Sequence, residues 1–236
     1  MLENHGAINL FTHLNDLQHL KLGNEYYYYS MPLCILDAVF SIGVKYQCVR
    51  NVVDRYCKYF HLTDFRPRNK GLPTINEQHD ITAFIKNIEL HGFHELAYSI
   101  ICNKQRTSPV GGILKIEAAY SWAKVFEKNR IQTFQDISPL GLGCHIENLI
   151  RNIPGQRSGI SLDYFYMLTG NDDLCKPDRH IKKYLSQKLN LKSISDNEAQ
   201  EILKKGVFAL KQTYPDITVR LLDYAIWEYM SNNNKN

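Results

Sequence analysis

A chain of 236 residues can build one large domain or two small lobes, each with a core of its own. Its 44% hydrophobic and 22% charged residues are an ordinary globular composition, and no apolar run reaches the ~18 residues that a membrane-spanning helix needs. A net charge of +4 and a pI near 8.6 permit a nucleic-acid partner without demanding one.

The first residues, MLENHGAINLFTHLNDLQHL, mix acids and histidines into their apolar positions, which argues against a secretory signal and for a cytoplasmic protein, on the nucleoid if the source is bacterial. From there the periodicity is helical almost throughout. Tyr26 to Tyr29 read as a short extended piece. Ser30 and Pro32 stand where an N-cap and an early helical proline belong, ahead of Leu33, Leu36, Val39 and Phe40. Val49, Val52, Val53, Tyr56 and Phe60 repeat at i, i+3, i+4 and predict a second amphipathic helix. Pro67, Gly71 and Pro73 make residues 62–77 a loop.

Ile81, Phe84, Ile85 and Ile88 predict a third helix with Gly92 as its C-cap, and Leu96 to Ile101 a fourth. The pair Gly111-Gly112 marks the entrance to a fifth, traced by Leu114, Ala118, Trp122 and Val125. Before it lies a polar, basic loop, Asn103-Lys104-Gln105-Arg106-Thr107-Ser108, in which Arg106 and Lys104 are candidate phosphate contacts. Farther on, Ser195-x-x-Glu198 is a capping box for a helix lined by Ala199, Ile202, Leu203 and Val207. A last helix after Pro215 carries Leu221, Leu222, Ala225 and Ile226, with a polar, frayed tail from Ser231. The expected fold class is all-α.

The stretch Leu149 to Tyr184, LIRNIPGQRSGISLDYFYMLTGNDDLCKPDRHIKKY, carries most of the functional information. An apolar helix meets the turn Ile153-Pro154-Gly155-Gln156-Arg157-Ser158-Gly159, a second helix follows, and Lys176-Pro177-Asp178-Arg179-His180 opens a third. A hairpin of this kind aims backbone N–H groups at an anion near the start of its second helix, and glycine lets the backbone approach closely. Asp178 is also well placed simply to cap the helix that follows it.

This order of elements resembles the signature of the helix-hairpin-helix DNA glycosylase superfamily. Ile153, Pro154 and Gly155 match its hairpin pattern, close to Leu-Pro-Gly-x-Gly-x-x-Thr-Ala, while Arg157 replaces the second glycine and Ser161 the final alanine. Arg157 either impairs the tight fit or adds a phosphate contact. The resemblance implies a two-lobe helical fold: residues 31–170 as the middle lobe, residues 1–30 with 171–236 as the other, and a cleft between them that Asp178 shares with the hairpin. It implies catalysis by Asp178 and DNA contact by Gly155, Gln156, Arg157, Ser158 and Gly159, to which Lys45, Arg106 and Arg179 are added as basic candidates. Lysine-bearing relatives form a Schiff base from a residue near position 159; here Gly159 stands there, and no lysine lies between Lys128 and Lys176. The implied enzyme is therefore monofunctional and leaves an intact abasic site.

In such enzymes a side chain fills the gap left by the flipped base. The matching segment, Ser41 to Tyr46, offers Ile42, Lys45 or Tyr46, and the run Tyr26 to Tyr29 offers stacking rings. The six cysteines (Cys34, Cys48, Cys57, Cys102, Cys144, Cys175) form no Cys-x-x-Cys pair, and none follows Cys175, so no iron–sulfur cluster, zinc site, disulfide frame or other cofactor is expected. The expected partner is duplex DNA carrying a damaged or mispaired base, bound by a monomer, with no membrane involved. Two rivals stand beside this reading: a DNA-binding or scaffold protein that keeps the fold without catalysis, and an unrelated helical interaction protein.

Overall fold

The computed structural model describes residues 9–11, 13–14, 17–68, 70–138 and 141–233. The predicted features at Met1 to Ile8 and beyond Asn233 lie outside these residues. The described residues are all-helical, without strands; three isolated bridges join Tyr28 to Phe65, Arg106 to Leu114 and Ser138 to Gly141. The chain divides into a middle unit, Gly23–Thr169, and a terminal unit made of Met1–Leu22 and Gly170–Asn236. Residues 23–30, placed in the outer lobe by the sequence reading, cluster with the middle unit because Tyr28 bridges Phe65 and hydrogen-bonds Asp37.

The middle unit is built around α1 (Met31–Phe40), all ten residues of which are buried. A helix hydrophobic on every side belongs inside a core, and α1 packs against α2 (Tyr46–Tyr59), α4 (Lys115–Lys128) and α6 (Ile160–Thr169). Ser30 takes the N-cap backbone conformation, but its hydroxyl makes no capping bond. Among the described residues Asp37 is the buried acid of this interior. The Tyr28 and Tyr164 hydroxyls both donate to its Oδ2, at 2.9 and 3.2 Å. Burial, and then the charge of Asp37, hold both tyrosines far above their usual pKa, so they remain donors.

The far end of α1 is closed by a residue the hydrophobic pattern does not single out. Lys115, 3% exposed, sends Nζ to the carbonyls of Phe40 (2.9 Å) and Ile42 (2.7 Å). A cation at a helix C-terminus satisfies orphan carbonyls and opposes the negative end of the helix dipole.

α3 (Ile81–Glu95) departs from its expected end. Gly92 does adopt φ +73°, yet the chain turns helical again, and a π-helical turn over Leu96–Ile100 continues it. The glycine therefore makes a kink and not a stop. Two further helices complete the unit's catalogue: α5 (Cys144–Arg151), packed on α4, and α6.

In the terminal unit, α7 (Arg179–Leu189), α8 (Asp196–Leu210) and α9 (Val219–Asn233) share one core with Leu10, Phe11, Leu14 and Leu17. The predicted capping box opens α8: Ser195 Oγ accepts from Glu198 N at 3.3 Å, and Glu198 Oε2 accepts from Ser195 N at 2.8 Å. α9 does not fray at Ser231 but runs to Asn233, with Met230 buried in the core.

Replacing Lys115 with leucine removes its Nζ donor from one buried and one part-buried carbonyl. The expected result is a loss of about 2 kcal/mol of unfolding free energy, read from urea denaturation; an unchanged midpoint would refute the capping role.

Candidate functional site

In the middle unit α5 leads into the hairpin and α6 leads out. Two successive turns form it, Gln156 N bonding Ile153 O at 2.9 Å and Gly159 N bonding Gln156 O at 3.1 Å. Gly155 and Gly159 sit at φ +86° and +81°, a region that other residues enter only with strain. Gly155 also lies so close to Thr107 that an added Cβ would stand 2.4 Å from the Thr107 Cβ. The hairpin thus rests on the basic loop, which folds back on itself through Thr107 N to Ile113 O and Lys115 N to Gln105 O, both 2.9 Å. Two candidates that sequence leaves separate are neighbours.

The hairpin residues divide into outward and inward groups. Arg157 and Ser158 are exposed, and among the described residues neither backbone N–H meets an acceptor. Gln156, predicted to touch DNA, turns inward instead: it is 2% exposed, its amide oxygen takes the buried Ser161 hydroxyl, and its N–H is spent within the turn. It braces the hairpin from beneath. Arg106 stays exposed, but its Nη1 donates to Gly112 O at 2.7 Å, so part of the guanidinium holds its own loop.

Arg151 was not among the sequence candidates. Its guanidinium covers Gly159, so that a Cβ there would lie 2.0 Å from Nη1, and it makes no hydrogen bond or ion pair among the described residues. The only sequence signal was a basic residue in the last turn of a helix, which ordinarily means no more than dipole compensation.

Of the three wedge candidates, Lys45 alone is exposed. The carbonyl of Ile42 is held by Lys115, and Tyr46 stacks on Tyr26, the ring centres 6.5 Å apart. The tyrosine run serves packing more than display: Tyr28 is buried on Asp37, and Tyr27 lies under the Arg66 guanidinium at 5.3 Å. Tyr29 lines a cavity of about 180 Å³ with Ser30, His61, Leu62, Thr63, Glu77 and His79, a site that none of the predicted DNA-contact residues borders.

In the terminal unit Asp178 is the N-cap of α7. Its Oδ1 accepts from His180 N at 2.8 Å and Ile181 N at 3.2 Å, while Oδ2 takes no hydrogen bond among the described residues. Arg179 is exposed beside it. A second acid, which sequence reading missed, stands near. Asp223 on α9 accepts Lys176 N at 3.0 Å through Oδ1. Burial first, and then the charge of Asp178, push its carboxyl well above the usual aspartate range, against the opposing pull of Lys176 and Arg220. In sequence Asp223 is one polar position on an amphipathic helix, 45 residues from Asp178, and nothing local marks it.

The chain matches, over residues 8–231, the family described as Domain of unknown function (DUF8548), and belongs to that family. No curated protein and no solved structure matches it.

Two stability measurements separate the roles of these acids. Asp178→Ala is expected to cost about 1 kcal/mol through the lost cap, and Asp178→Asn only a few tenths, because asparagine caps nearly as well. For Asp223 the folded-state pKa is raised above the unfolded value of about 3.9. Its contribution to stability is therefore fully present below about pH 4 and is lost as pH rises through the raised value. Asp223→Asn lacks this loss, so relative to wild type the variant should gain stability as pH rises from about 4 through the raised pKa of Asp223. A pH-independent difference would show that Asp223 ionises normally in the fold.

Proposed function

We propose that this DUF8548 protein is a monofunctional DNA glycosylase, which excises a damaged or mispaired base from duplex DNA. The observation that carries this reading is the state of Asp178. One carboxylate oxygen is fixed by two backbone bonds and the other is left open, on a loop that begins eleven residues after the hairpin's last glycine.

A fixed anion suits this reaction. As the C1′–N bond breaks, the base departs with the bonding electrons and the sugar acquires oxocarbenium character. A carboxylate near C1′ lowers the energy of that charge and takes a proton from the water that adds there. The departing base receives a proton in turn, and the sugar is left as an abasic site. A Schiff-base route would need an amine, and the hairpin and its following helix contain no lysine.

The hairpin supports the grip on the phosphate backbone. The unengaged N–H groups of Arg157 and Ser158, at the positive end of α6, suit an anion. Arg157, Arg151 and the exposed part of Arg106 add positive charge around them, and Arg179 and Lys45 are further basic surface residues. Arg157 at the second glycine position thus reads as an added contact.

One observation favours a second reading, a DNA-binding protein without catalysis: the N-cap bonds alone account for an aspartate at position 178. A panel of duplexes, each with one lesion, decides between the two. Wild type should leave alkali-labile abasic sites at one lesion class, without strand breaks before alkali. Asp178→Asn should slow excision by roughly 10²- to 10⁴-fold at unchanged duplex affinity. Equal binding by both proteins with no excision by either would establish the second reading.

A further inference from the structure

The loop that carries Asp178 has no regular secondary structure, yet it is fastened at three successive points by residues of α8 and α9. At Asp172, the Arg220 N–H donates to the carbonyl at 3.1 Å and Arg220 Nη1 lies 3.5 Å from Oδ1. At Cys175, Gln200 takes the N–H on Oε1 at 3.1 Å and gives Nε2 to the carbonyl at 2.9 Å, pairing both backbone groups as a neighbouring strand would. At Lys176, Asp223 Oδ1 takes the N–H at 3.0 Å. Only the buried Pro177 separates this last tether from Asp178.

We propose that Asp223 is a positioning residue: through the Lys176 N–H it fixes the end of this loop and so sets where the Asp178 carboxylate stands, an inference that rests on the glycosylase reading for what Asp178 does. A backbone tether two residues away is short enough that little rotation is left between it and the carboxyl. The tether also has to be an acceptor that does not itself repel Asp178. Asp223 Oδ1 supplies that acceptor, and burial together with the charge of Asp178 raises its pKa, which favours the neutral form beside Asp178. The charged groups that face it are Asp178, Lys176 and Arg220.

The variants Asp223→Ala and Asp223→Asn test the inference on the full-length protein. Asparagine keeps the accepting oxygen, and alanine removes it. Under single-turnover conditions Asp223→Ala should excise roughly 10²-fold more slowly than wild type at unchanged duplex affinity, the scale expected from displacing a reacting group by about 1 Å. Asp223→Asn should restore the rate to near wild type at neutral pH. It should also lack the decline in rate expected of wild type as pH rises through the raised pKa of Asp223. Undiminished excision by the alanine variant, or an asparagine variant as slow as alanine, overturns the inference.

Amide hydrogen exchange in the 174–179 segment gives a readout that needs no activity. Faster exchange in the alanine variant alone supports the tether, and unchanged exchange overturns it. If wild type excises no base from any duplex, the glycosylase reading fails while this exchange result still decides the role of Asp223.

Discussion

A helix surrounded by protein on every side must find all its polar partners inside, and α1 is such a helix. Its ten buried residues include one acid, and its C-terminal carbonyls point away from water. An unpaired carboxylate or orphan carbonyl there would cost several kcal/mol. Tyr28 and Tyr164 resolve the first problem and Lys115 the second, and each comes from a different part of the chain. Tyr28 pulls residues 23–30 into the middle unit, Tyr164 locks α6 against α1, and Lys115 seats the first turn of α4 under the end of α1. The hairpin hangs between α5 and α6, and the loop it rests on runs directly into Lys115, so the hairpin's geometry descends from the satisfaction of α1.

The terminal unit follows the same rule on a smaller scale. An irregular loop beside a packed core leaves backbone groups that water cannot fully reach, and such groups are paired with side chains where no helix or sheet is available. The side chains of Gln200 and Asp223 serve the loop at Cys175 and Lys176, the Arg220 backbone N–H serves it at Asp172, and Asp178 serves the first turn of α7. Groups that discharge this structural duty also become fixed in space. A carboxylate with one oxygen committed to the backbone and the other open is one that the fold has oriented already, which is the property a reacting group requires.

Several local signals were legible because they act over one turn of helix. The apolar faces of α2 and α9, the Ser195–Glu198 box and the aspartate cap of α7 all read directly from spacing. Signals that need a partner's position were misread. Gly92 carries the positive φ of a helix end, yet the packing of Leu96 and Ala97, both fully buried, recovers a helical path beyond it. Gln156 lies in the middle of a turn that displays its neighbours, and only the buried Ser161 hydroxyl on the next helix explains why it faces inward. In the tyrosine run, Asp37 and Arg66 engage two of the rings, partners that spacing alone does not reveal.

By itself the sequence determined the helical class, the Pro-Gly turn of the hairpin, the absence of a lysine beside it, and the cap at Asp178. These follow from local chemistry: side-chain period, φ preference and hydrogen bonds between residues a few positions apart. Only the tertiary structure decided that Lys115 closes α1, that Arg151 covers Gly159, that the 103–108 loop supports the hairpin, and that Asp223 stands beside Asp178 holding its loop. Each of these joins a polar group to a partner whose distance along the chain carries no periodic signal. Burial creates the demand for such a partner, and burial is a property of the folded molecule.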